Sequence, residues 1–170
     1  MYFHAIRQLA QALRNIDLWL DRAEEHAARK KFEIDILLGA RLAPDMADFV
    51  YQIRSACDYV KGAAGWLTGE QPPRHEDNEE TISDLRVRIE KTLTFVESLP
   101  EAAYQNAAQQ IIRVSWAPAG SVIHGQDYLL QVAIPNIYFH LTTAYAILRH
   151  NGVDVGKMDF LGPIGWTSAG

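Results

Sequence analysis

The chain has almost no cysteine, no surplus of positive charge and no long uninterrupted apolar run, and each lack excludes something. Among 170 residues only Cys57 is a cysteine, so no internal disulfide can form and a disulfide-stapled scaffold is ruled out. Sixteen basic residues against twenty-one acidic ones leave a formal charge of −5. That sign argues against nucleic acid as a partner, because phosphate binding needs a basic surface. The single basic cluster, Arg29-Lys30-Lys31, lies near the expected end of a helix, where cations complement the helix dipole. The longest apolar stretches are broken by Asn, His and Thr, so none reads as a membrane span. The opening Met1-Tyr2-Phe3-His4-Ala5 has no basic segment ahead of an apolar core, and a cytoplasmic protein is expected. No internal repeat or low-complexity segment is visible.

What is present is helical periodicity. Hydrophobic residues make up 48% and charged residues 22%, a globular balance that fits one domain over residues 1–170. In residues 2–29, Phe3, Ile6, Leu9, Leu13, Ile16, Leu20 and Ala23 recur at steps of three and four, which predicts a long amphipathic helix. The connection from Lys30 to Ala43 carries Ile34, Ile36, Leu37 and Leu38 and is expected to pack across the other helices with a short helical turn. Pro44 suits the first position of a second helix running to about Thr68, with Gly69 as its stop. Arg41 and Asp45 are expected to pair at its entry. Met46, Phe49, Val50, Ile53, Cys57, Val60, Ala64 and Leu67 form its buried stripe.

A polar loop over residues 70–79 then leads to a third helix, with Asp77 or Asn78 as its cap. Ile82, Leu85, Ile89, Leu93 and Val96 form its inner stripe, and Arg86, Arg88, Glu90 and Lys91 its outer face. Ile112, Val114 and Trp116 alternate with polar residues, and Ala117-Pro118-Ala119-Gly120 is turn chemistry. A short hairpin with Val122-Ile123 as the return strand is expected there. The fourth helix spans about Asp127 to His150 and ends at Asn151-Gly152. Four long helical patterns predict an all-α four-helix bundle. The fourth helix is apolar on most sides, so either the tail with Phe160, Leu161, Ile164 and Trp166 or a second copy of the chain must cover it.

Three polar residues interrupt the inner stripe of this helix. Asn136 and His140 are four residues apart and share a face, and Thr143 lies beside them. Leaving such a group buried and unpaired costs about 1–3 kcal/mol. Two readings stay open. The stripe lines a small-molecule pocket with His140 as ligand or proton carrier, or it is a sealed device that holds helices in register. A metal site in a bundle takes three or more His, Asp or Glu side chains from facing helices. The second helix has no histidine, and its Gln52 and Asp58 sit on opposite flanks of the apolar stripe. His4 and His26 lie near the two ends of the first helix, and His124 precedes the fourth. Cys57 supplies a nucleophile's residue type, yet a buried cysteine usually packs as a small hydrophobe. The acidic loop His75-Glu76-Asp77-Asn78-Glu79-Glu80 could attract a cation, but a solvated helix start is the better explanation, because acids are favoured there anyway.

The stretches Arg41-Leu42-Ala43-Pro44-Asp45-Met46, Asp77-Asn78-Glu79 with Thr81, Pro135-Asn136-Ile137-Tyr138-Phe139-His140, residues 142–153, Gly156-Lys157 and Asp159-Phe160-Leu161-Gly162 resemble a bacterial family of unknown function. That family resembles a branch of the DinB/YfiT-like superfamily. The resemblance implies a four-helix bundle, often a homodimer. It also implies, in many members, a divalent metal (zinc, nickel or iron) on three histidines, and in some a thiol-dependent transferase or hydrolase activity. His140 matches the second histidine of the superfamily pattern ahead of the Leu148-Arg149-His150-Asn151-Gly152 ending, and Asn136 stands in place of the first. No residue between Pro44 and Thr68 matches the third. With two of three ligands missing, the expectation is no metal, and His140 is the one residue to which a metal would be assigned. The expected ligand pocket is His140, Asn136, Thr143, Gln52 and Cys57.

Overall fold

The apolar stripe of the first segment folds as expected, into α1 (Tyr2–Lys30). The computed structural model describes residues 1–168. Helix α1 stops where Lys31 turns left-handed, with Arg29 and Lys30 in its last turn, a favourable end for cations. The apolar connection contains α2 (Asp35–Leu38), whose Leu37 and Leu38 are buried.

Helix α3 (Phe49–Thr68) starts later than Pro44 predicts. Pro44 sits in a turn, and the cap is Asp48, whose carboxylate accepts from the Tyr51 N–H at 3.0 Å. A side-chain acceptor satisfies an otherwise orphaned first-turn donor, whereas proline merely tolerates the position. Arg41 correspondingly pairs with Asp48 at 3.8 Å and donates to the Met46 carbonyl, so the expected pairing with Asp45 is replaced by one with the cap itself. Gly69 ends the helix at φ 80°, a conformation that favours glycine.

Helix α4 (Ile82–Ser98) is capped by Thr81 rather than by Asp77 or Asn78. Thr81 and Asp84 form a reciprocal capping box, which satisfies two donors at once. Asp77 is drawn away to Arg54 and Arg88. After two 3₁₀ turns, Glu101–Tyr104 and Ala107–Gln109, the expected hairpin is present but very short. Strand β1 (Ile111–Ile112) pairs antiparallel with β2 (Ile123–His124), Ile111 opposite His124. The alternation through Val114 and Trp116 does not extend it, because the chain turns at Val114–Ala117 and Trp116 stays exposed.

The last long helix is continuous but not uniform. It runs as α5 (Gly125–Asp127), a π-helical stretch (Tyr128–Ala133) and α6 (Ile134–His150). Pro135 supplies the reason. It lacks an N–H, and its ring clashes with the carbonyl four residues back, so the wider π ladder carries the chain past it.

Helix α3 lies at the centre, packed against α6 on one side and α4 on the other, with α1 closing the bundle. The tail forms α7 (Lys157–Leu161). Phe160 stacks on Trp19 at 5.6 Å, and the Trp19 indole N–H donates to the Asp159 carbonyl at 3.0 Å. The tail thus docks mainly on α1, and Phe160 also meets Tyr145 of α6 edge-on at 5.6 Å, while Ile164 and Trp166 remain exposed. The molecule is an all-α bundle with a minimal hairpin. Among the described residues no helix is long and apolar enough to cross a membrane.

Candidate ligand site at His140

Gln52 and Tyr59 are seven residues apart on α3 and therefore share one face. That face meets His140 of α6. The His140 Nδ1 lies 2.8 Å from Gln52 Oε1, and the amide nitrogen of Gln52 donates to the Ala47 carbonyl at 3.1 Å. The second bond fixes which way the amide points. Its oxygen therefore faces the ring, and Nδ1 must be the protonated nitrogen. Nε2 then carries the lone pair. It has no partner among the described residues, yet it is not sealed from solvent.

Aromatic rings surround this imidazole. Tyr59 stacks on it at 5.7 Å, while Tyr51 at 6.1 Å and Phe139 at 5.3 Å meet it edge-on. Tyr51 and Phe139 are half exposed, whereas His140 itself is buried. Burial holds the imidazole below its ordinary value, so the neutral form dominates at pH 7. Burial, and then the neighbouring Tyr51, raise the Tyr59 hydroxyl.

The other expected pocket residues are placed differently. Asn136 donates to the Val132 carbonyl at 2.7 Å, and Thr143 donates to the Phe139 carbonyl at 2.7 Å. Both satisfy themselves on the preceding turn of their own helix, and neither bonds His140. Cys57 is fully buried on the α4 side of α3, near Thr92 and Arg88. Burial pushes its thiol up to about 12, so it holds no thiolate at neutral pH.

A second polar cluster was missed in the sequence. Arg88, expected on the outer face of α4, is only 2% exposed. Its guanidinium donates to Asp58 at 2.8 Å, Glu79 at 2.7 Å, Asp77 at 3.1 Å and the Glu76 carbonyl at 3.1 Å. Arg54 adds contacts to Asp77 and Glu79, and Lys61 lies 2.6 Å from Asp58. Within the run Glu76–Glu80, Asp77 and Glu79 are therefore ion-pair partners, so the run is not merely a solvated helix start. The available signal was the spacing of Arg54, Asp58 and Lys61, which puts three charges on one face of an otherwise apolar helix. Arg86, by contrast, stays at the surface and reaches Asp17, Asp21 and Glu24 of α1.

The sequence matches the model of a family described as "Domain of unknown function (DUF1993)" over residues 1–161. The chain belongs to this family. It is also similar to the crystal structure of a DinB family member protein from Shewanella denitrificans, at 41% identity and TM-score 0.93, covering 98% of this chain and 94% of that one. No functionally curated protein matches it. It is thus a DinB-like helical chain from an uncharacterised family.

The donors at His140 do not fit the divalent metal that the superfamily resemblance implies. Nε2 is one ligand. The Gln52 oxygen is occupied by Nδ1, the Asn136 amide by Val132, and the remaining neighbours are aromatic rings. Among the described residues no group of three His, Cys, Asp or Glu side chains could hold an ion, whereas zinc sites take at least three such ligands.

Proposed function

We propose that the chain is a small-molecule-binding protein whose recognition point is Nε2 of His140. The supporting observation is the relay from the Ala47 carbonyl through Gln52 to Nδ1. It fixes the tautomer and aims a neutral acceptor at the surface between aromatic rings. A ligand carrying an N–H or O–H donor on a flat apolar body matches these surroundings, since the rings contribute stacking area and Nε2 contributes orientation.

The test is NMR of the His140 imidazole during titration with small aromatic fragments. Fragments with a donor are expected to shift the Nε2 signal and those of Tyr51 and Tyr59, and His140→Ala is expected to lose the response. Fragments that bind while His140 stays unchanged would overturn the proposal. Metal analysis of untagged protein and of His140→Ala tests the misfit to a metal. Stoichiometric metal that disappears in the variant would overturn it.

A second reading is a non-catalytic homodimeric module in which the same face is covered by another copy. The half-exposed Tyr51 and Phe139 beside His140 favour it, since adjoining exposed aromatics are common at interfaces. Sedimentation of native protein against Phe139→Asp separates the two. A native dimer made monomeric by the substitution supports the module, and a native monomer removes it.

A further inference from the structure

Residues 69–81, between the end of α3 and the cap of α4, contain no helix or strand. This loop runs back along α3. It starts hard against Gly65, where an added side chain would come within 2.7 Å of Pro72. By Glu79 it has reached Arg54, at 3.3 Å. Pro72 to Glu79 thus runs beside about 16 Å of helix, a stretched path rather than a coiled one. Its main chain is mostly unpaired. No N–H group from Gln71 to Glu79 meets an acceptor among the described residues, and of the carbonyls only that of Glu76 is taken, by Arg88.

Between this loop and α4 lies a hollow of about 870 Å³, within the range that small ligands occupy. On the helix side Asp84, Val87 and Lys91 follow one another at steps of three and four, so they form a row along one face, with Phe95 one turn further on. Asp84 and Lys91 are two turns, about 10 Å, apart along the axis. Asp84 spends Oδ2 on the cap of α4 and leaves Oδ1 without a hydrogen bond. Lys91 makes no ion pair among the described residues. On the loop side the Glu79 side chain is only 7% exposed, and its Oε2, 3.3 Å from Arg54 Nε, forms no hydrogen bond. Pro73 completes the loop wall with an apolar surface. Uncommitted acceptors therefore mark the end of the hollow nearest the α4 cap, and a free cation stands two turns away.

A ligand matched to these walls has a positive and a negative group about 10 Å apart, an apolar body, and amides that pair with an unpaired main chain. A tripeptide with free ends has all of these. Three extended residues span about 10 Å, and an extended peptide can lie alongside a segment whose own N–H and C=O groups are free. We propose that the hollow binds short apolar peptides with free ends, laid out beside residues 71–79. The ammonium group lies toward Asp84 and Glu79, the carboxylate on Lys91, and the side chains against Val87, Phe95 and Pro73. This site is separate from His140, which faces α3 from the α6 side.

The experiment is NMR titration of the full chain with the tripeptide Ala-Phe-Ala, its N-acetylated form and its C-amidated form. The free peptide is expected to give saturable shifts in the backbone amides of residues 74–79 and in the side chains of Lys91 and Phe95, with a Kd of about 1 mM or tighter. The His140 signals are expected to stay in place. Blocking either end is expected to weaken binding roughly tenfold, since each loses a charge-assisted hydrogen bond. Lys91→Ala, a change at an exposed side chain, is expected to bind the free and amidated peptides equally while still preferring a free ammonium to an acetylated end. No saturable shift with any of the three peptides, equal affinity of the native chain for all three, an undiminished preference for the free carboxylate in Lys91→Ala, or shifts centred on His140 instead of the loop would each overturn the site.

Discussion

The two faces of α3 carry two kinds of buried polar chemistry. On the α4 side, Arg88 is charged and bonded through both terminal nitrogens to Asp58, Asp77, Glu79 and a backbone carbonyl. On the α6 side, His140 is neutral and bonded only through Nδ1. The first arrangement uses both terminal nitrogens inside the protein, leaves only Nε without a partner, and ties a loop to two helices. The second uses one nitrogen to fix the ring and leaves the other available. A polar group tied by several bonds to charged partners holds structure together, and one whose second nitrogen is free and reached by solvent is the better candidate for recognition.

The largest expected effect tests the ionic side. Arg88→Met removes the cation and leaves Glu79 buried beside Arg54 alone, with the loop over residues 76–79 partly untied. Breaking a buried pair costs about 3–5 kcal/mol. Asp58 and Asp77 are well exposed and screened by water, so a loss near the low end, about 3 kcal/mol, is expected by urea denaturation. A loss below about 1 kcal/mol would mean the cluster is no more than surface decoration.

Next comes a double-mutant cycle on Gln52→Ala and His140→Ala. The single changes are expected to cost about 1–3 kcal/mol each, and the coupling energy to be about 1 kcal/mol. Zero coupling would break the relay that fixes the tautomer. A pH titration sharpens the same point. The folded His140 sits below its unfolded value, so the unfolded chain takes the proton first and stability falls as pH drops below about 6.5. Parallel loss in native protein and in His140→Asn would assign that fall to other groups.

A smaller effect is expected at the cap that frees Asp77 for the cluster. Thr81→Ala is expected to cost about 1 kcal/mol in thermal or urea unfolding. The smallest concerns Cys57. With its thiol buried and raised to about 12, native protein is expected to react with a thiol reagent only as fast as it unfolds. Rapid labelling would mean that the α4 side opens on its own.

Much of this was legible beforehand, for local reasons. Stripes at steps of three and four predicted α1, α3, α4 and α6, because a helix must bury one face whatever its neighbours are. Gly69 and Asn151-Gly152 marked helix ends through backbone preference alone. Gln52 and Asp58 were placed on opposite flanks by geometry, and the structure sends one to His140 and the other to Arg88. What failed was the choice among near-equivalent local signals. Pro44 and Asp77 looked like helix starts, but Asp48 and Thr81 make the side-chain bonds that decide the matter. Arg88 read as an outer-face residue, because burying an arginine depends on acids 9 to 30 positions away.

The sequence by itself determined that the chain is an all-α bundle with His140 on an inward face, because periodicity acts over a few residues and states directly which side avoids water. Only the tertiary structure decided what that histidine does there. Tautomer, free nitrogen and aromatic surroundings depend on Gln52, Tyr51 and Tyr59 of a different helix, and no local rule specifies how two helices rotate against each other. The same holds for the ionic cluster, where complementary charges distant in the chain meet only after α3, α4 and the loop between them have packed.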